Sequence, residues 1–251
     1  MSRPGYDAIG RTYAATRRPD PRIASRLVDA LGDARSVVNI GAGAGAYEPR
    51  DRLVIAVEPS WTMIRQRPLG TAAVIRAAAE EIPLEDASVD AVMAVLTVHH
   101  WTERERAFAE VRRVARRRAV FFTCDPAFSG WWLTRDYFPM IRCRDRARLP
   151  PLRAFGALGP VESAPVPIPR DCSDGFLAAH WGRPASYLDP RVRENISGFA
   201  GLTQAELEPG LVRLEQDLVS GEWERRNRAV LARAELDCGY RIVVCELADA
   251  S

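Results

Sequence analysis

Three histidines, a glycine-rich turn and two glutamates are the residues of this 251-residue chain whose types and spacing could do chemistry. His99 and His100 stand together just after an apolar run, Val89 to Val95. Imidazole titrates near neutral pH, so a histidine at the mouth of a cleft can take a proton from an acceptor or orient it. His100 reads as the substrate-side base or orienter, with His99 nearer a cofactor; hydrogen bonds within their own loop are the competing explanation for both. His180, in Ala178-Ala179-His180-Trp181, is a second candidate for the same task, and there a structural role is the simpler reading.

Upstream, Val37-Val38-Asn39-Ile40 runs into Gly41-Ala42-Gly43-Ala44-Gly45-Ala46. Glycines directly after a strand let the backbone approach a ligand without Cβ atoms in the way. Gly41, Gly43 and Ala46 also satisfy the dinucleotide pattern G-x-G-x-x-A. Glu58 closes the next apolar run, 17 residues after Gly41, where a carboxylate can accept both hydroxyl hydrogens of a ribose. Only Tyr47 to Arg52 separate the loop from that run, and Pro49 lies among them. So short a segment gives poor helical support for a pyrophosphate, whereas a phosphate-free nucleoside does not need it.

Composition removes other chemistries. The 35 basic residues are all arginine, which excludes Schiff-base, pyridoxal-phosphate and P-loop lysines. Five cysteines without a C-x-x-C pair and three histidines offer no compact zinc set, so no metal is expected. A net charge of +2 sets up no field that demands nucleic acid or an anionic membrane. The arginines from Arg112 to Arg118 fall mainly off the apolar stripe of their helix and carry no interleaved aromatics, so they read as a solvated face. No apolar run is long enough to span a bilayer and no leader is evident, which points to a cytoplasmic protein, monomer or homodimer.

The elements that must position these groups follow from periodicity. Asp20-Pro21 is a helix start, with Ile23, Leu27, Val28 and Leu31 behind it and Gly32 at its end. Strands are expected over Ser36 to Ile40, Leu53 to Val57, Val74 to Ile75, Val89 to Val95, Ala119 to Thr123 and Tyr240 to Leu247. Ser60 can cap a helix that carries Met63 and Ile64, and helices are expected over Glu103 to Arg117 and Pro209 to Ser220. Val161 to Ile168, interrupted by Pro165 and Pro167, suits a sheet edge. Alternating strands and helices imply parallel units in a doubly wound α/β sheet. Residues 126–160 show no clean period, and 176–199 are irregular and aromatic.

From Val37 to Trp101 the chain resembles the class I S-adenosylmethionine-dependent methyltransferases of the small-molecule, type 11 branch. The resemblance rests on the GxGxG loop, Glu58, Ala79-Glu80 with Pro83-Leu84, and Leu96 to Trp101, in order and spacing. It covers the core from Ser36 to Asp125 and the closing strand. It implies a Rossmann-like sheet, mostly parallel, with an antiparallel C-terminal edge strand and an inserted aromatic-rich cap. It also implies S-adenosyl-L-methionine as cofactor, S-adenosyl-L-homocysteine as product and a small-molecule acceptor to be methylated, with specialised metabolism as the expected setting.

On that resemblance Asn39, Gly41, Ala42, Gly43 and Gly45 would cradle the methionine part, and Glu58 with Pro59 and Met63 would hold the ribose side. Ala79 and Glu80 would flank the adenine, and Leu96 would border the same site. Tyr13 and Arg17 would fold over the cofactor, Arg17 reaching its carboxylate. The family carries acids where Asn39 and Ala78 stand, which also leaves room for a relative that binds the cofactor yet catalyses another reaction, such as cyclisation. One methyltransferase domain over 1–251 is expected: a core of 20–125, 161–168 and 238–248, a cap of 126–160 and 171–236, and an N-terminal lid of 1–19. Trp131, Trp132, Tyr137, Phe138, Trp181 and Tyr187 would either roof a pocket or form the cap's own core.

Overall fold

The computed structural model describes residues 17–247. Helix α1 (Pro21–Leu31) begins where the Asp20 carboxylate accepts the Arg22 N–H, and Pro21 fills the first helical position, whose N–H would lack a partner in any case. Ile23, Leu27 and Leu31 bury one stripe of it. Strands β1 (Ser36–Ile40), β2 (Leu53–Val57), β3 (Ala73–Ile75) and β4 (Val89–Val95) are all parallel, as apolar runs buried on both faces should be. A single helical turn, Trp61–Ile64, follows β2, with the Ser60 hydroxyl accepting the Met63 N–H.

Helix α2 (Arg104–Val114) is shorter than its apolar stripe suggested. Ala115 already pairs with Val89 and Arg118 with Ala91, so the residues after Val114 are drawn into β5 (Ala115–Cys124). The sheet is completed by β6 (Val161–Pro165) and β7 (Tyr240–Glu246), in the order β3-β2-β1-β4-β5-β7-β6. Strand β7 is the antiparallel one, but it is not the edge strand expected of the C-terminus. It inserts between β5 and β6, pairing antiparallel with both. The edge is β6, closed by Pro165, a residue with no N–H to offer a further neighbour. Ile168–Pro169 leaves the sheet and pairs with Glu235–Leu236.

Side chains alternate across a strand, so the sheet sorts its apolar residues into two cores. Val37, Met93, Val120, Phe122 and Ile242 face α1 and the segments inserted around β6; Val38, Val92, Ala94, Phe121 and Val243 face α2, Phe155 and Leu158. The first core continues without a break into the inserted segments, through Trp132, Phe138, Trp181, Tyr187 and Trp223.

Those insertions hold most of the structure that the sequence left blank. Helix α3 (Pro139–Arg148) buries Ile141 alone, which explains its lack of an apolar period. Helix α4 (Gln204–Val219) starts five residues before the expected Pro209, through reciprocal hydrogen bonds between Thr203 and Glu206. Pro209 is tolerated inside it because it lies on the exposed side, where the Ala205 carbonyl can meet water. Helix α5 (Glu222–Leu231) follows directly. The aromatic stretch before α4 forms short tight helical turns, Leu177–His180 and Pro184–Leu188.

Candidate active site

The loop after β1 is held by its own backbone. The N–H groups of Gly41 and Ala42 both donate to the Val57 carbonyl, at 2.8 and 3.1 Å, tying the turn to the end of β2. Gly41 sits at φ +65°, and a Cβ there would lie 2.0 Å from the Thr97 hydroxyl oxygen, so no larger residue fits. Gly43, at φ +54°, turns its N–H toward Glu58, 2.9 Å from Oε2.

Glu58 Oε1 accepts the Ser60 N–H at 2.8 Å. The side chain is 6% exposed, and burial pushes its carboxyl up despite the hydrogen bonds from Ser60 and Gly43. Each oxygen takes one N–H, which leaves a lone pair on both for two further donors. A pair of vicinal hydroxyls satisfies that geometry.

Around Glu58 lies a cavity of about 630 Å³, open on one side, lined by Gly41, Gly43, Pro59, Met63, Ala78, Ala79, Glu80, Leu96, His100 and Trp101 among others. The Trp101 indole N–H is buried there with no partner among the described residues. Glu80 does different work. Its Oε1 accepts from the Thr102 N–H at 2.6 Å, the Thr102 hydroxyl at 2.7 Å and the Glu103 N–H at 3.2 Å, directly before α2. Burial raises its pKa, but those hydrogen bonds outweigh it and the net shift is downward. Glu80 therefore closes the helix start as well as bordering the cavity.

A second cavity, of about 1090 Å³, lies against the other core. It is lined by Arg17, Leu96, His99, Cys124, Asp125, Tyr240 at the start of β7 and, from the inserted segments, by Trp131, Ile141, Asp145, Phe176 and Asn195 among others. Leu96 lines both cavities and is left-handed, at φ +52°, with its N–H 2.7 Å from the Phe122 carbonyl. For a branched residue that conformation is strained, and the sheet ladder on either side holds it.

The turn Val98–His100 then splits the two histidines. His99 lines the larger cavity and His100 the smaller, the reverse of the order expected. A tight turn puts successive side chains on different walls, which a linear reading cannot resolve. Their ring centroids are 3.8 Å apart. Burial, then the charges of Arg148 and Arg17, lower the His99 pKa to about 4, so its ring is neutral at pH 7.

Other candidates lie elsewhere. His180 lines neither cavity; it packs edge-on against Tyr187 with centroids 5.9 Å apart, its Nδ1 without a partner among the described residues, and burial lowers its pKa to about 4. Arg17 lines the larger cavity, not the smaller, and its guanidinium is held at 2.7 Å by Asp174, which also accepts from the Tyr47 hydroxyl at 2.8 Å. Asn39 is buried behind the loop, donating to Glu48 at 3.3 Å, and Glu48 is itself paired with Arg67 at 2.8 Å. The lost acid at position 39 is thus not replaced by a free charge. Ala42 and Gly45 shape the turn without lining the cavity. Tyr13 lies outside the described residues.

The inserted aromatics are chiefly a core. Trp132, Phe138, Trp181 and Tyr187 are at most 2% exposed and belong to one cluster, in which Trp132 packs on Tyr187 and Phe138 on Phe199, while Trp131 alone of the six borders the larger cavity. The sequence reading missed Thr97 and Trp101 as cavity residues, although Trp101 ends the Leu96–Trp101 match. It also missed the second cavity apart from Trp131, Arg17, Leu96 and the histidine turn.

A doubly wound sheet with a glycine turn, an acid after β2 and a second cavity beside the first defines a nucleoside-binding α/β enzyme. Residues 38–123 match the model of the methyltransferase domain. The chain is 34% identical to a crystal structure from Anabaena variabilis assigned as a methyltransferase of an antibiotic biosynthesis pathway, over 92% of this chain and 99% of that one, with a TM-score of 0.84. Uncharacterized methyltransferases of Mycobacterium bovis and Mycobacterium tuberculosis are 33% identical over 160 residues, 57% of this chain and 64% of theirs. The chain therefore spans less than two thirds of the length of those mycobacterial relatives. It belongs to the class I S-adenosylmethionine-dependent methyltransferase family.

Proposed function

We propose that the protein transfers a methyl group from S-adenosylmethionine, held in the smaller cavity, to a small-molecule acceptor in the larger one. The observation that carries this reading is the junction at Leu96, one residue walling two cavities of which only one has the glycine turn and the ribose-type acid. The residues fit the cofactor. Glu58 has lone pairs for the sugar hydroxyls, the Trp101 N–H is a buried donor without a partner among the described residues, and Gly41 leaves space where a Cβ would meet Thr97.

S-adenosylmethionine brings a methyl already activated on a sulfonium, so the chain's task is alignment, with acceptor and methyl held at roughly 3–3.5 Å. Glu58, Met63, Ala79 and Trp101 would fix the nucleoside, and Leu96 the partition. His99, neutral at pH 7, can take a proton from an acceptor that must lose one. The assignment of the Anabaena relative to an antibiotic pathway supports an acceptor drawn from specialised metabolism. The departures at Asn39 and Ala78 favour a second reading, a cofactor-binding relative that runs another reaction such as cyclisation.

Isothermal titration with S-adenosylmethionine and S-adenosylhomocysteine is the test. Micromolar binding of both is expected, and an absence of both would end either reading. Binding without transfer of radiolabelled methyl to any candidate acceptor would select the second.

A further inference from the structure

Resting on the reading of the larger cavity as the acceptor site, we propose that the acceptor carries a basic amine, protonated on binding, that docks between the Asp145 carboxylate and the aromatic wall of Phe176, Tyr240 and Trp131. The cavity has its charges distributed unevenly. Arg17 is neutralised by Asp174, and Arg142 donates to the Ser129 carbonyl at 2.5 Å. Asp125 accepts the Ala127 N–H at 2.9 Å within its own turn. Asp145, on α3, has no hydrogen-bond or ion-pair partner for its carboxylate among the described residues, although it lines the same cavity. A carboxylate taken out of water without a partner is costly, and a cation supplied by the ligand removes the cost.

A second group points the same way. Tyr240 is 7% exposed, lines the cavity, and its hydroxyl has no partner among the described residues. Asp145 stands at the same end: after burial, its charge is the next cause that pushes the Cys124 thiol up, and it also acts on the Tyr240 hydroxyl. Burial likewise lifts Asp145 itself to about 6, against the pull of Arg148, so it is ionised at pH 7. The thiols of Cys124 and Cys238 are pushed up by burial, the Tyr240 phenol likewise, and His99 is pushed down. All four are neutral at pH 7; the charges left on the cavity wall are Arg17 with its Asp174 partner, Arg142, Asp125 and Asp145, and of the two lining carboxylates only Asp145 lacks a hydrogen bond among the described residues. The Phe176 and Tyr240 rings pack with centroids 4.9 Å apart, and aromatic faces hold an ammonium by its attraction to their π density.

The test titrates three probes of one shape into the full chain with S-adenosylhomocysteine present: 2-phenylethylamine, 2-phenylethanol and 3-phenylpropanoate. The amine should bind about tenfold or more tightly than the alcohol, the scale of a charge-assisted contact in a partly desolvated site. Asp145→Asn should remove most of that preference while leaving alcohol affinity within about threefold, and Tyr240→Phe should weaken the amine by a smaller factor. Equal or tighter binding of the alcohol or the propanoate, no amine binding at millimolar concentration, or an Asp145→Asn variant with the preference intact each overturns the proposal.

If Asp145→Asn fails to fold, the wild type serves. Amine affinity should fall roughly tenfold from pH 7 to pH 5 as Asp145 takes a proton, with the alcohol unchanged, and a flat amine profile overturns the proposal. The charged groups around Asp145 are Arg142 and Arg148 on its own helix, Arg17 and Asp125, while Cys124, Cys238, Tyr240 and His99 stay neutral through that window. The S-adenosylhomocysteine titration stands apart. Its failure would sink the cofactor reading, whereas the probe ranking, repeated on the protein alone, decides the amine.

Discussion

The two cavities that meet at Leu96 are made in different ways. The smaller is made of backbone: a turn pinned by N–H groups to the Val57 carbonyl, with one acid at a strand end taking the next two N–H groups. Its walls draw on the core that faces α2, through Ala79 and Trp101. The larger is made of side chains from segments as far apart as Leu96 and Tyr240, and its aromatic and aliphatic wall, Trp131, Ile141, Phe176 and Tyr240, belongs to the opposite core. A backbone site is fixed by its turn chemistry and is insensitive to packing elsewhere. A side-chain site is only as well placed as the core behind it.

The sharpest way to break this distinction is Trp181→Ala. Trp181 is fully buried, donates to the Ile168 carbonyl at 2.7 Å and offers its own carbonyl to Trp132 at 3.2 Å. Its loss should cost about 4 kcal/mol, read by urea denaturation, because a large cavity and an unpaired carbonyl are left together. The folded variant should still bind S-adenosylhomocysteine within about threefold, since of the smaller cavity's walls only Val95 and Leu96 pack against that core. A parallel fall in cofactor affinity would show that the two regions are one.

The next effect lies inside the smaller cavity. Glu58→Ala should weaken S-adenosylmethionine binding about 30-fold or more, because two charge-assisted contacts are lost and the N–H groups of Gly43 and Ser60 lose their acceptor. Glu80→Ala should weaken it only a few fold. Its cost falls on stability instead, about 1 kcal/mol, since the carboxylate is spent on Thr102 and Glu103 at the start of α2. Titration calorimetry and thermal melts on both variants separate the two, and equal affinities would mean that Glu58 does not face the sugar.

The same contrast explains what the sequence could be made to tell. β1, β2 and β4 were legible to the residue, because parallel strands covered on both faces must be continuously apolar. The glycine turn and Glu58 were legible because backbone constraints leave a contiguous mark. The edge was rightly read at Val161, but the C-terminal strand was misplaced there too, because pairing β7 between β5 and β6 depends on contacts roughly 80 to 130 residues apart, which no local pattern records. Asp145 was invisible for a similar reason. On α3 it reads as one charge among many until the fold turns it toward Tyr240. The exchange of His99 and His100 came from a single tight turn, smaller than any periodicity resolves.

That turn supports the smallest prediction, which concerns pH. The folded-state pKa of His99, about 4, lies below the ordinary value of 6.5, so between those limits the unfolded chain binds the extra proton. Stability therefore rises with pH across the window, is complete above 6.5, and is lost as pH falls toward 4. The full shift would correspond to about 3 kcal/mol, and since the ring is partly exposed to its cavity a loss of about 1 kcal/mol is the expected size. His180, lowered to about 4 by burial in the inserted core, adds a loss of the same sign. His99→Gln should remove one part of the acid sensitivity and His180→Gln the other, measured as denaturation midpoints at pH 7.5 and 5. Saturation with an acceptor-sized ligand should deepen only the His99 part, because His99 alone borders the cavity such a ligand would fill. If ligand deepens both equally, the inserted core and the cavity it walls are not separable, and the contrast between a backbone site and a side-chain site loses its basis.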